Sequence, residues 1–144
     1  MGNSELTWIE PKTDWDITDY FNIEDYGRIV NNIAFLKEYA KEILIDLQDS
    51  DFSENIINDK TYSSMIYASE INAIEDKLEE LNLKTYAINI GEKQTYYPNE
   101  KTMDYNELNR IETACLNIYK TISSHINEIQ RLPFTLGGQK GIVI

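Results

Sequence analysis

The sequence predicts a mainly α-helical protein, a three-helix bundle in which extended segments lead into the helices. Three observations predict this fold: three stretches carry apolar residues at steps of three and four, capping residues precede the first and third, and a similar short motif opens each stretch. The chain has 144 residues, of which 42% are hydrophobic, enough for one domain with its own core. We expect a single domain, with an N-terminal arm at 1–21, the bundle at 22–131 and a tail at 132–144.

The first helix is predicted over residues 23–48. Asn22 is a strong N-cap, and the Asp25 carboxylate suits the free N–H groups of the first turn. The apolar stripe comprises Tyr26, Ile29, Val30, Ile33, Leu36, Ala40, Ile43, Leu44 and Leu47. It ends at the polar residues 49–51.

The second and third helices are predicted over residues 63–82 and 104–131. The second has heptad spacing, which is typical of a helix packed nearly along its neighbour; its stripe is Tyr67, Ile71, Ile74, Leu78 and Leu81. The third begins at Asp104, with Glu107 completing an approximate capping box, and ends before Pro133. Its stripe is Leu108, Ile111, Cys115, Ile118, Ile122, His125 and Ile129.

The segments outside the helices are rich in aromatic or β-branched residues. In the extended arm, Trp8, Trp15, Tyr20 and Phe21 either pack on the protein's own helices or bind a partner. Residues 85–97 alternate in a way that is compatible with a small β-hairpin. The extended tail carries the further candidate interaction residues Phe134, Ile142, Val143 and Ile144, and its last three residues suit a strand that pairs with an existing edge.

The helix starts form an internal repeat. The motif is an acid, a large apolar residue, Gly or Asn, Arg or Ala, Ile and usually Glu; it begins at Asp25, Glu70 and Glu107. A repeat of this length indicates a repeated unit of one lead-in and one amphipathic helix. Arg28 and Arg110 recur before a core Ile, and they either pair with a nearby surface acid or clamp a lead-in segment.

The charge balance weighs against nucleic-acid and membrane partners. The chain has 25 acidic and 13 basic residues, a net charge of −12, and the acidic excess is concentrated in residues 1–61. Nucleic acids and anionic membranes require clustered cations. The N-terminus lacks the basic and apolar regions of a secretory signal peptide, and no stretch approaches the length of a membrane span.

No pattern in the chain indicates a catalytic, cofactor or zinc site, and we expect a protein that is not an enzyme. Cys115 and His125, the single cysteine and histidine, both lie in the predicted core stripe of the third helix. Their separation of ten residues places them roughly 15 Å apart along the helix axis, too far for a nucleophile and its base. Asp49 and Asp51 resemble the start of a calcium loop, but Glu54 stands where that loop needs glycine, which leaves only a weak divalent-cation site open.

Three islands of sequence resemble small proteins encoded in the tail-module regions of phages and prophages of Gram-positive bacteria. The first island is Pro11-Lys12-Thr13-Asp14-Trp15, followed by 19–22 and by Asp25-Tyr26-Gly27-Arg28-Ile29-Val30-Asn31-Asn32. The second is Tyr67-Ala68-Ser69-Glu70-Ile71-Asn72-Ala73-Ile74-Glu75, and the third is Leu132-Pro133-Phe134. Gly27 and Ala73 depart from the Asn and Arg of the family pattern.

The resemblance implies a structural or adaptor protein of the tail or baseplate, without enzymatic activity. It implies other tail proteins and further copies of this chain as partners, and the virion tail, assembled in the host cytoplasm, as the location. Two alternatives remain open at this point. Ten tyrosines and two tryptophans suit a carbohydrate-binding module, and the acidic first half suits a regulatory binder of a basic protein.

Overall fold

The computed structural model describes residues 6–52, 66–99 and 103–131. In these residues the chain forms three α-helices and no strand: α1 is Ile23–Ile43, α2 is Ala68–Lys84 and α3 is Tyr105–Arg131. A short 3₁₀ helix, Asp49–Asp51, follows α1. Each helix packs on the other two, so the predicted bundle of three helices is confirmed.

The helix starts follow from the capping residues. Asn22 and Asp25 exchange hydrogen bonds between side chain and backbone at 3.0 and 3.1 Å, a complete capping box. Asp104 Oδ1 accepts the Glu107 N–H at 3.0 Å at the start of α3. These bonds satisfy N–H groups that have no partner within the helix.

The end of α1 and both ends of α2 differ from the prediction. α1 ends at Ile43 instead of residue 48, because Leu44 leaves helical geometry and the chain turns there. Leu44 and Leu47 still pack against the core from this turn, so the apolar spacing continues past the end of the helix. α2 begins at Ala68 and extends to Lys84, with Ile66 and Tyr67 outside the helix; residues 63–65 of the predicted helix lie outside the described residues.

The three helices run parallel. Arg28 contacts Glu112 and Tyr39 contacts Ser123, both 84 residues apart, so α1 and α3 advance in the same direction. Arg110 contacts Glu75 near the starts of α3 and α2, and Tyr86, just after α2, reaches His125 far along α3. Parallel helices require the chain to return to the starting end of the bundle between them.

Extended return segments run back along the helices. In the first return segment, residues 6–16, Ile9 lies beside Asn32 of α1, and Trp15 lies beside Arg28, one turn nearer the helix start. In the second return segment, residues 86–97, Ile88 lies beside Asn82 and Tyr96 beside Asn72 of α2. Both segments therefore run opposite to the helices that they cover.

The β-hairpin predicted over residues 85–97 is wrong. Residues 85–97 form no strand, and the second return segment does not fold back on itself. Its backbone N–H and C=O groups at Ile88 and Tyr96 pair with asparagine side chains of α2 instead of with a second strand. The predicted extended tail, residues 132–144, lies outside the described residues.

The core is built from equivalent positions of the internal repeat. The isoleucine of each motif, Ile29, Ile74 or Ile111, is at most 1% exposed. The large apolar residue three positions earlier is also buried in each unit. Trp15 and Tyr96 join this core from the return segments, so the segments are part of the packing.

Candidate functional site

A buried carboxylate links α3, α1 and the first return segment. The Glu112 side chain is 1% exposed, and its Oε1 accepts the Lys12 backbone N–H at 3.1 Å and Arg28 Nε at 2.9 Å. Glu112 Oε2 accepts Trp15 Nε1 at 2.8 Å and a second guanidinium nitrogen of Arg28. Arg28 also donates to Asp25 at 2.9 Å. We call these five residues, together with Asn109, the Glu112 clamp.

Asn109, one turn before Glu112 on α3, holds the backbone of the first return segment at Trp15. Its Oδ1 accepts the Trp15 N–H at 2.8 Å, and its Nδ2 donates to the Trp15 carbonyl oxygen at 3.0 Å. A side-chain amide offers one donor and one acceptor side by side, so it satisfies both backbone groups of one extended residue as a neighbouring strand would. Asn32 makes the same pair of bonds to Ile9.

An equivalent arrangement links α2, α3 and the second return segment. Glu75, 1% exposed, accepts Tyr96 Oη at 3.1 Å and an Arg110 guanidinium nitrogen on its Oε2. Arg110 Nε donates to Glu107 at 2.9 Å. Asn72 pairs with the N–H and carbonyl of Tyr96 at 2.7 and 2.8 Å. We call these residues the Glu75 clamp.

The two clamps use the same positions of the internal repeat. In each, the motif's first acid and its Arg form an i,i+3 pair, and that Arg reaches the motif's last Glu on a neighbouring helix. Trp15 and Tyr96 are equivalent, because each donates to that Glu and is held by the motif's Asn. The arginine of α1 thus binds the glutamate of α3, and the arginine of α3 binds the glutamate of α2.

The third equivalent position, between α2 and α1, lacks the Arg, the last Glu and the Asn of the two clamps. By the same pattern Ala73 of α2 would supply the cation, Val30 of α1 the carboxylate and Gly27 the asparagine. All three polar residues are therefore replaced together, and Val30 is buried. Joint replacement leaves no buried charge without its partner, which would cost several kcal/mol, roughly 3 or more.

The electrostatics of the clamps follow from hydrogen bonding and burial. The hydrogen bond to Glu112 raises the pKa of the Arg28 guanidinium, which therefore stays protonated. Burial, together with the Glu75 carboxylate, raises the pKa of the Tyr96 hydroxyl, which therefore stays protonated as a donor. The charged and neutral partners are consistent with a structural role of both sites.

The predicted interaction residues have different environments. Trp15 is buried, and Trp8 stacks on Tyr119 of α3 with ring centroids 4.2 Å apart. Phe21 packs against Trp15 at 6.1 Å. Tyr20 is 89% exposed, and Ile17 beside it is 83% exposed. Phe134, Ile142, Val143 and Ile144 lie outside the described residues.

Sequence reasoning identified Arg28 and Arg110 as candidate clamps but did not predict the residues that they bind. Glu75, Glu112, Asn72 and Asn109 occupy fixed positions of the internal repeat. Their recurrence was the available signal. It could have suggested a shared role, although not which helix each would face.

The remaining chemical candidates are engaged within the fold. Cys115 is fully buried, and burial raises the pKa of its thiol to about 12, so a thiolate does not form at neutral pH. His125 Nδ1 and Tyr86 Oη share a hydrogen bond of 2.8 Å. Asp49 pairs with Lys41 and Lys37, and no cluster of metal-ligating side chains is found among the described residues. Glu54 of the weak cation-site hypothesis lies outside them.

Comparisons with protein families, curated proteins and solved structures found no match to this chain. Within the described ranges, no helix is long and apolar enough to span a membrane. The functional argument therefore depends on the residues of this chain.

Proposed function

We propose that the protein is a structural, non-enzymatic component of a phage or prophage tail or baseplate that assembles with neighbouring tail proteins and with copies of itself. Several residues of the islands that resemble the phage family also belong to the two clamps. Lys12, Trp15, Arg28, Asn72 and Glu75 all belong to the resembling islands and all make clamp bonds. This overlap supports a shared fold as the basis of the resemblance.

The observation that carries the assembly role is an exposed apolar pair in the arm. Ile17 and Tyr20 are 83% and 89% exposed, whereas Trp15 and Phe21 on either side pack into the protein. Asp16 and Asp19 hold the intervening turn: Asp16 Oδ1 accepts the Thr18 N–H and hydroxyl, and Asp19 Oδ2 accepts the Asp16 N–H. The turn thus presents two large apolar side chains at a fixed place, as an interface does.

The alternative of carbohydrate binding has weaker support. Stacking on sugars needs exposed aromatic faces, and Trp8 and Trp15 are both used in packing, which leaves exposed tyrosines such as Tyr20 and Tyr97 as its support. The acidic regulatory binder is supported by the net charge of −12 alone. We therefore favour the tail component.

Mass spectrometry of induced, gradient-purified particles from the source strain tests the proposal, with unpackaged lysate as the control. We expect the protein at a fixed ratio to known tail proteins. Ile17→Ser combined with Tyr20→Ser should remove it from particles, whereas Ile45→Ser, at an equally exposed position, should not. A protein that is expressed but absent from the particles contradicts the proposal.

A further inference from the structure

The turn that presents Ile17 and Tyr20 is closed by backbone and side-chain hydrogen bonds. The Asp19 N–H donates to the Asp16 carbonyl oxygen at 3.0 Å, and the Asp16 N–H donates to Asp19 Oδ2 at 2.9 Å. Asp16 Oδ1 accepts the Thr18 N–H at 2.8 Å and the Thr18 hydroxyl. Ile17 thus occupies a corner of a β-turn that is already ordered, so a partner that binds it loses little free energy to ordering the turn.

Both ends of this turn are anchored in the protein. Trp15 is 4% exposed and is held by Glu112, while Phe21 packs against Trp15 with ring centroids 6.1 Å apart. Between these anchors, Ile17 and Tyr20 are covered by no other part of the chain that the structure describes. A large apolar pair held outward at a fixed position is suited to fill a pocket on another molecule.

Three carboxylates surround this apolar pair. Asp16 and Asp19 directly precede its two members, and the Asp14 side chain is 87% exposed. The ammonium group of Lys12 joins two of them, at 3.1 Å from Asp14 Oδ1 and 3.6 Å from Asp19 Oδ2. The hydrogen bonds from Thr18 lower the pKa of the Asp16 carboxyl, which is therefore ionised at neutral pH. We call residues 14–20 the acidic turn.

The negative charge of the acidic turn is only partly compensated within the protein. Lys12 is the only basic residue that precedes Arg28 in the chain, and Arg28 is held by Glu112 and Asp25. No other cation among the described residues pairs with the three carboxylates. Three carboxylates against one ammonium group leave an excess of negative charge around the apolar pair.

This charge decides between the possible occupants of the surface. If a second copy of the chain docked through the same face, it would bring like charges into contact, which costs several kcal/mol, roughly 2 or more. An anionic membrane surface is disfavoured for the same reason. A protein surface with cations around an apolar pocket matches both features of the acidic turn, and its opposite charge attracts the turn before contact.

We propose that the acidic turn docks into an apolar pocket that is bordered by lysine or arginine side chains on another protein. Ile17 and Tyr20 fill the pocket, and the carboxylates of Asp14 and Asp16 meet the cations at its edge. This inference rests on the proposed function, because it names the partner of the same apolar pair. It assigns any contact between copies of this chain to a different face.

Peptide selection on the immobilised full chain tests the proposal, with an mRNA-displayed library of random linear peptides as the probe. Counter-selection against Ile17→Ser combined with Tyr20→Ser keeps only the peptides that need the apolar pair. We expect these peptides to combine an apolar residue with Lys and Arg, the two bases being enriched at least about twofold over the library. Turn-dependent peptides without this enrichment, or no turn-dependent peptides at all, overturn the proposal.

A matched pair of double variants separates the local charge from the net charge. In Asp14→Asn with Asp16→Asn, the amide oxygen still accepts the Thr18 N–H, so the turn is retained. The Kd of the best selected peptide should rise about tenfold, mainly through slower association in surface plasmon resonance. Glu42→Gln with Glu128→Gln removes the same charge from exposed positions of α1 and α3 and should change the Kd by less than about twofold. Equal effects of the two pairs overturn the proposal.

The salt dependence and the oligomeric state test the remaining occupants. Raising NaCl from about 50 to about 500 mM should weaken the peptide at least about fivefold, because rim charges are screened. Sedimentation equilibrium of the full chain identifies a second copy. Self-association that Ile17→Ser with Tyr20→Ser abolishes would show that the acidic turn binds another copy, and it would contradict the proposal.

The particle experiment keeps this inference distinct from the proposed function. A chain that is absent from purified particles contradicts the tail role, whatever peptides its acidic turn selects. A chain that is present in particles but whose acidic turn selects peptides without basic residues contradicts only the basic pocket.

Discussion

Arg28 and Glu112 form a largely buried ion pair whose side chains are 16% and 1% exposed. Such a pair adds little net stability over a well-packed apolar pair, but removing one partner leaves a buried charge uncompensated. The joint loss of polar groups at Gly27, Val30 and Ala73 fits this rule. The Arg and the buried Glu are both present at two positions and both absent at the third.

The Glu112→Gln variant tests the energetic role of the charge. Gln retains the shape but leaves the Arg28 guanidinium with Asp25 alone, so the free energy of unfolding should fall by about 3 kcal/mol. Urea denaturation measures it. Glu128→Gln, exposed on the same helix, should change the value by less than about 0.5 kcal/mol. Equal stabilities of the two variants would show that the clamp contributes nothing.

Cys115 predicts a loss of stability at high pH. Burial raises its pKa from the ordinary 9.0 to about 12, so above pH 9 the unfolded chain loses the thiol proton while the folded protein keeps it. The stability contribution is complete below pH 9 and is lost as the pH rises toward about 12, at about 1.4 kcal/mol per pH unit. Tyr96, whose pKa is also raised, adds to the loss at higher pH.

Urea denaturation between pH 8 and 10.5 measures this dependence. Cys115→Ala, which removes the titrating thiol, should flatten the decline that begins near pH 9. A decline of the same slope in the variant and the natural protein would rule out Cys115 as its source.

The helices and the return segments were predictable from the sequence to different extents. Helix caps and apolar spacing are local signals, which is why Asn22 and Asp104 mark the starts of α1 and α3 correctly. The alternation in residues 85–97 is also a local signal. It indicates an extended backbone, but it does not indicate which groups form hydrogen bonds with that backbone. That partner is the side chains of Asn72 and Asn82, which no strand pattern reveals.

The ends of the helices show the same limitation. The stripe continues through Leu44 and Leu47 because both pack on the core, yet they do so from a turn. The spacing of apolar residues alone does not distinguish a core residue in a helix from one in the turn that follows it. The internal repeat did carry the missing information about the candidate site, since Asn and Glu recur at the positions that form both clamps.

Asparagine substitutions test the attachment of the return segments. Asn72→Ala and Asn109→Ala each remove two hydrogen bonds to the backbone of one extended residue, so each should cost about 2 kcal/mol of the free energy of unfolding. The higher helix propensity of Ala offsets roughly 0.5 kcal/mol of this.

Asn117→Ala is the control for these variants. Asn117 is exposed on α3, so the gain in helix propensity remains and no clamp bond is lost. Urea denaturation should place it at or slightly above the stability of the natural protein. The attachment has no energetic role if Asn72→Ala and Asn109→Ala are as stable as this control.

The whole molecule is a bundle in which three helices start at the same end. A parallel arrangement needs long connections, and the connection from α2 to α3 contains the second return segment. The first return segment precedes α1 and packs in the same way. α1 spans roughly 30 Å at 1.5 Å per residue, which an extended segment of about ten residues can cover. The clamps lie near the starting ends of the helices, where Arg28 and Arg110 each reach a neighbouring helix.

The direction of the helices is therefore the central claim, and paramagnetic relaxation measures it most directly. A nitroxide at Asn106→Cys, in a Cys115→Ser background, sits on the exposed first turn of α3. The account predicts broadening of the amide signals of Glu24 and Ser69, at the starts of α1 and α2, with Glu42 and Leu83 at the far ends sharp. Broadening of Glu42 or Leu83 in place of Glu24 or Ser69 would show an antiparallel bundle and contradict both clamps.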